Sequence, residues 1–133
     1  MISTAEEFVQ LRTSENPREY LRAASESADV NVWLEIIDRY PEMRMWVAHN
    51  KTVPPEILNV LARDIDPTVR SAVAMKNKLS DDLFFLLATD IDDGVRQRIS
   101  YNKNAPRNVL EILAQDPNKL VSEPAGARLS KMS

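Results

Sequence analysis

Residues 53 to 116 repeat themselves at a step of 26. A fixed period of that order marks a stacked repeat fold, in which one short supersecondary unit recurs along the chain. The segment Val-Pro-Pro-Glu-Ile-Leu-Asn-Val-Leu-Ala-Arg-Asp-Ile-Asp from Val53 returns as Leu-Ser-Asp-Asp-Leu-Phe-Phe-Leu-Leu-Ala-Thr-Asp-Ile-Asp from Leu79, and as Ala-Pro-Arg-Asn-Val-Leu-Glu-Ile-Leu-Ala-Gln-Asp from Ala105. The second half of the unit keeps the same step. Met43-Arg44, Val69-Arg70 and Val95-Arg96 align, as do the small residues Ala48, Ala74 and Ser100.

Inside a unit the apolar residues fall at helical spacing, Ile57, Leu58 and Leu61 in the first half and Val69, Ala72 and Val73 in the second, so each unit is predicted to be a pair of short helices. Asp66 before Pro67 reads as an N-cap followed by a first-turn proline. Asn16-Pro17 with Glu19 gives the same signal, and Ser80 before Asp81-Asp82 is another start. Upstream, Val32, Trp33 and Ile36 take the first-helix positions and Pro41-Glu42-Met43-Arg44 opens a second helix, one residue short of the full step. Residues 4–26 read as a degenerate leading cap, with Phe8, Val9 and Leu11 serving one helix and Tyr20, Leu21 and Ala24 the other. After Asp116 the pattern fades: Leu120 and Val121 still match, but Ser122 replaces the arginine and Pro124 and Gly126 follow. The expectation is one all-α solenoid domain over 1–133, of about five short helix pairs, because each pair needs its neighbours to cover its apolar face. Full repeats are placed at 27–52, 53–78 and 79–104, a partial repeat at 105–122, and a frayed cap or tail at 123–133.

At these residues the chain resembles the HEAT-like family and, more closely, the bacterial leucine-rich-repeat variant. The unit of that variant reads much like Asp-x-Asp-x-x-Val-Arg-x-x-Val-Ala, then a Pro-containing turn and Leu-x-x-Leu-Ala. The stretch Asp66 to Ala74 fits that pattern closely, and the likeness covers about Val30 to Val121. It implies a right-handed α-α superhelix with second helices on the concave side. Some variant-repeat proteins carry an iron–sulfur cluster on a cysteine-rich leader; this chain has no cysteine, which excludes that cofactor, and no other is expected.

A net charge of −3 and an isoelectric point near 5.2 argue against a general polyanion binder, which needs many lysine and arginine contacts to phosphate. Charge is uneven: residues 1–50 hold nine acids against five bases, and residues 117–133 three bases against one acid. A cationic partner would favour the N-terminal half. No apolar run approaches a membrane span, and Glu6 and Glu7 stand where a signal peptide wants basic and then apolar residues. The expected location is the cytoplasm.

His49 is the only histidine, so a catalytic triad would have to be built on it, with no evident nucleophile. A place at the end of a second helix, facing the dipole or a partner, is favoured. The aspartates Asp64, Asp66, Asp90, Asp92, Asp93 and Asp116 could form a cation site, but their place between paired helices favours capping, and the calcium-loop spacing is missing. Arg44, Arg70 and Arg96 could hold phosphates. The resemblance implies an internal ladder instead, because in HEAT-like stacks this arginine position is associated with hydrogen bonds to acidic groups of neighbouring units, and the planar fork suits carboxylates as well as phosphates. Lys51, Lys76, Lys78 and Lys103 read as solvated groups after the second helices.

With Val69 and Val73 inward, helical geometry puts Thr68, Ser71, Ala72 and Met75 on an adjoining face. The repeat step carries that face to Glu42, Met45, Trp46 and His49, and to Gly94, Gln97, Arg98 and Tyr101. Aromatic side chains, arginine and methionine are favoured at protein interfaces. Met45, Trp46, His49, Met75, Gln97, Arg98 and Tyr101 are therefore the candidate partner-binding residues, with Trp46 open between core and surface. The function expected is non-enzymatic protein binding, most specifically as an immunity or antitoxin protein that blocks a basic toxin such as a nuclease. The alternatives are a nucleic-acid-binding protein, with Arg98, Lys76, Lys78 and Lys103 as its patch, and a scaffold subunit of an enzyme complex.

Overall fold

Helix starts recur at the step seen in the sequence. The computed structural model, which describes residues 1–132, is all-α. Its helices are α1 (Ala5–Thr13), α2 (Pro17–Ser25), α3 (Val30–Arg39), α4 (Arg44–His49), α5 (Pro55–Leu61), α6 (Pro67–Ala74), α7 (Asp81–Ala88), α8 (Asp93–Tyr101), α9 (Arg107–Leu113) and α10 (Lys119–Met132), with a 3-10 turn at Pro41–Met43 leading into α4. The series α5, α7, α9 starts at residues 55, 81 and 107 and the series α6, α8, α10 at 67, 93 and 119, a step of 26 in both. The β geometry among the described residues is one isolated bridge, Ile2 with Ala28. Starts are fixed by the expected caps: the side chains of Asn16, Asp66, Ser80 and Asp92 accept from the amides of Arg18, Thr68, Leu83 and Val95. Each such cap is worth about 1 kcal/mol.

Contacts divide the chain into two compact units, Met1–Leu61 and Ala62–Ser133. In the first, α1 packs on α2 and α3, α2 on α4, and α3 and α4 on each other and on α5. In the second, α6 packs on α7 and α8, α7 on α8 and α9, and α8 and α9 on each other and on α10. Within each unit the helices pack on near neighbours in the chain, the pattern of stacked helix pairs.

Burial follows the period. In the second unit Val73, Ile99 and Ala125 form one fully buried column, Val69, Val95 and Val121 a second, and Leu87 and Leu113 a third. In the first unit Phe8 meets Trp33 edge-on at 5.5 Å, and Ile2, Ile36, Val47, Ile57 and Leu61 are buried in the same unit. The leading pair departs from expectation. Phe8 and Leu11 are core, but the α2 residue that is buried is Ala23, while Tyr20 and Leu21 are exposed and Ala24 is half-buried.

Arginines stitch successive pairs of the second unit. Arg70 donates through Nε and Nη2 to both carboxylate oxygens of Asp90 at 2.8 and 3.1 Å, and through Nη1 to the carbonyls of Asp64 and Ile65. Arg96 repeats the arrangement on Asp116, at 2.7 and 3.4 Å, and on the carbonyls of Asp90 and Ile91. The acceptors lie 20 residues ahead. Asp66 and Asp92, nearer in sequence, serve as caps instead. In the first unit Arg44 donates to the Ile37 carbonyl at 2.8 Å.

The expected frayed end is corrected: α10 runs through Pro124 to Met132. Its buried Val121 and Ala125 continue the core columns, and Arg128 donates to the carbonyls of Ser100 and Asn102. A proline costs a helix one donor, and these contacts on the α8 side offset that loss.

Two predictions follow from the arginine pairs. Arg70 and Asp90 are only 12% and 7% exposed, so Arg70→Ala strands a buried carboxylate and is expected to destabilise the chain by about 1 to 3 kcal/mol in urea unfolding. An unchanged midpoint contradicts it. Burial pushes the Asp116 carboxyl up, but hydrogen bonds from Arg96, the Asn118 amide and the Arg96 charge together hold it below its ordinary value. A depressed folded pKa means that this stabilisation is present above the unfolded pKa, about 3.9, and is lost as pH falls through the lower folded value. Asp116→Asn is expected to be less stable at neutral pH and to show a flatter acid limb.

Candidate functional site

The ends of the second helices are shaped by a polar column that the sequence reading did not single out. Asn50, fully buried at the C-cap of α4, donates to the carbonyls of Ala23 and Glu26 at 2.8 and 2.9 Å. Asn102, at the C-cap of α8, does the same to Ala74 and Lys76 at 2.9 and 2.7 Å. Arg128 follows on Ser100 and Asn102. The signal was present: positions 50, 76, 102 and 128 stand 26 apart and read Asn, Lys, Asn, Arg, all donors, where orphan carbonyls at helix ends need them. Lys76 belongs to this register. It is half-buried, and burial lowers its pKa, which corrects its reading as a solvated lysine; Lys51, Lys78 and Lys103 are exposed as expected.

With their ends tied, the second helices present their remaining side chains. In the first unit, Arg12, Tyr20, Leu21, Ala23, Ala24, Trp46 and His49 line a cleft of about 330 Å³. The Arg12 guanidinium lies 3.4 Å from the centre of the Trp46 ring and 6.0 Å from that of Tyr20, and Trp46 meets His49 at 5.7 Å, tilted by 46°. Trp46 is half-buried; the tryptophan sealed in the core is Trp33. The Trp33 indole N–H is also the one buried side-chain polar atom without a partner among the described residues, and nothing in the structure explains it.

In the second unit, Met75, Asn77, Arg98, Tyr101, Asn102 and Lys103 line a more open cleft of about 340 Å³. Tyr101 is 63% and Met75 51% exposed; Arg98 is exposed too. Among the described residues no carboxylate side chain lines either cleft. The sequence-derived residues thus fall into two groups, one per unit, with Met45 and Gln97 half-buried. Ala72, placed on the same face by periodicity, is core, because the buried arc of α6 is wider than Val69 and Val73 alone define.

The aspartates act as caps and arginine acceptors: Asp64, Asp90 and Asp116 accept from the amides of Asp66, Asp92 and Asn118. Among the described residues no group of three or more histidine, cysteine, aspartate or glutamate side chains could hold a metal ion. No helix among them is long and apolar enough to cross a membrane. No protein-family model, curated protein or solved structure matches the chain.

The exposure pattern separates surface from core on a single helix. Tyr101→Ala is expected to move stability by no more than about 0.5 kcal/mol, whereas Ile99→Ala, two residues away and fully buried, is expected to cost about 2 to 5 kcal/mol. Equal losses in urea titrations would contradict the assignment of Tyr101 to the surface.

Proposed function

We propose that this chain is a non-enzymatic protein-interaction module of the HEAT-like, leucine-rich-repeat-variant kind, which holds its partner through the exposed side chains of its second helices. One observation carries this reading. Tyr101, Arg98 and Met75, of residue types favoured at binding hot spots or adaptable contacts, stand exposed around one cleft although the residues beside them on the same helices are core. Large apolar and aromatic groups held out of an available core fit a surface that is covered on binding.

In its most specific form the partner is a basic toxin domain such as a nuclease, and the chain its immunity or antitoxin protein in the cytoplasm. The charge of the first unit supports this: residues 1–61 carry ten acidic against six basic side chains, which steers a cationic partner during encounter. Nucleic acid is the second reading, favoured by Arg98 and Lys103 beside Tyr101 in a cleft without carboxylates. A steep fall of affinity with salt on a single-stranded oligonucleotide would support it, since phosphate binding releases counterions.

Affinity capture with the full chain from its native source, followed by kinetics on the captured protein, tests the proposal. Tyr101→Ala is expected to weaken binding by about 1 to 4 kcal/mol, mainly through faster dissociation. Binding indifferent to Tyr101→Ala, Arg98→Ala and Met75→Ala alike would contradict it.

A further inference from the structure

Of the other four arginines of the first unit, Arg18 is exposed to solvent, Arg22 is paired with Glu26 and Glu7, Arg39 with Glu6 and Glu35, and Arg44 is bonded to the Ile37 carbonyl. Arg12 is different. It is half-buried and pressed against the Trp46 ring at 3.4 Å, and no described residue hydrogen-bonds or ion-pairs with its guanidinium. Stacking fixes the plane of a guanidinium and leaves its in-plane N–H groups free to donate. Here those donors border a cleft whose other walls are Tyr20, Leu21, Ala23, Ala24, Trp46 and His49.

We infer that this cleft is a receptor for an acidic side chain of the partner, an aspartate or glutamate carboxylate that takes the Arg12 fork while its aliphatic stem and neighbouring apolar residue lie against Trp46, Tyr20 and Leu21. The inference rests on the reading of the chain as a protein-binding module and names the chemistry that the first unit selects. A planar carboxylate matches two parallel N–H donors of one guanidinium. The lining offers no second arginine or lysine for a dianion, which favours a carboxylate over a phosphate. Leu21, 59% exposed, and Tyr20, 37% exposed, extend the apolar wall beyond what a small free acid would cover, which favours a side chain presented by a protein. The acidic surface of the unit and this receptor act at different ranges. Net charge steers approach over a Debye length, and the fork reads one group at contact.

The test uses the full chain and the Trp46 indole N–H resonance, assigned with Trp46→Phe. Acetyl-Leu-Glu-Leu-amide is expected to shift this resonance at millimolar concentration, and acetyl-Leu-Gln-Leu-amide to bind about tenfold or more weakly, the difference a charged over a neutral acceptor makes. Arg12→Gln is expected to abolish the discrimination, and Arg12→Lys to restore part of it by keeping the charge without the fork, with unchanged circular dichroism in both. Equal binding of the two peptides, undiminished discrimination in Arg12→Gln, or tighter binding of phenyl phosphate or 3-phenylpropanoate than of the glutamate peptide would overturn the inference. Its failure is separable from that of the protein-binding proposal. Partner capture lost in Tyr101→Ala but intact in Arg12→Gln sinks this inference alone, whereas peptide discrimination without any captured partner upholds the receptor and sinks the proposal.

Discussion

The bidentate pair between an arginine near the start of one second helix and the aspartate ending the next first helix is the contact on which the order of the second unit depends. Arg70 and Arg96 each gather a carboxylate and two loop carbonyls, so one guanidinium ties the loop before its own helix to the aspartate that follows the next first helix. The same aspartates accept the amides of Asp92 and Asn118, so they are capped and cross-linked together. Hydrophobic columns alone tolerate sliding by a fraction of a turn. A planar fork on a planar carboxylate does not, which makes the pair a register device as well as a source of stability.

At the opposite ends of the second helices the problem is different, because orphan carbonyls must be satisfied without a following turn. Asn50 and Asn102 each donate two bonds to the end of the preceding second helix, and Arg128 takes this place on α10. With loops held by arginine–aspartate pairs and ends held by asparagine and arginine donors, the exposed side chains between them carry no structural duty and are those proposed to meet a partner. His49 and Tyr101 each immediately precede a capping asparagine, and the exposed Tyr101 is positioned by the buried Asn102 beside it.

Much of this was legible in the sequence. Helix class, the repeat step, the caps at Asn16, Asp66, Ser80 and Asp92, and the internal use of Arg70 and Arg96 all follow from local chemistry and a period that repeats three times over residues 53–116. What was not legible depended on packing. The choice of Asp90 over Asp66 as the partner of Arg70 is set by how one pair stacks on the next, and sequence distance points the wrong way. Tyr20, Leu21 and Ala24 have core composition yet border a cleft, because the degenerate leading pair offers no further helix to cover them within its unit. Arg12 carried no motif at all. Its stacking on Trp46 joins residues of α1 and α4, a contact that neither helical spacing nor the repeat step announces. The persistence of α10 beyond Pro124 likewise rests on Val121, Ala125 and Arg128, three residues that extend columns 26 apart after the motif itself has faded.

The central claim is that the second helices, not the exposed apolar groups of the first helices, meet the proposed partner. The first helices also expose apolar groups, Phe85 and Ile112 on α7 and α9 among them, so the two faces compete on composition alone. Hydrogen–deuterium exchange of the full chain with and without the captured partner compares them directly. The account predicts slowed exchange at the amides of residues 46–51, 74–78 and 98–104, with α7 and α9 unchanged; protection confined to α7 and α9, with those segments exchanging as in the free chain, would contradict it.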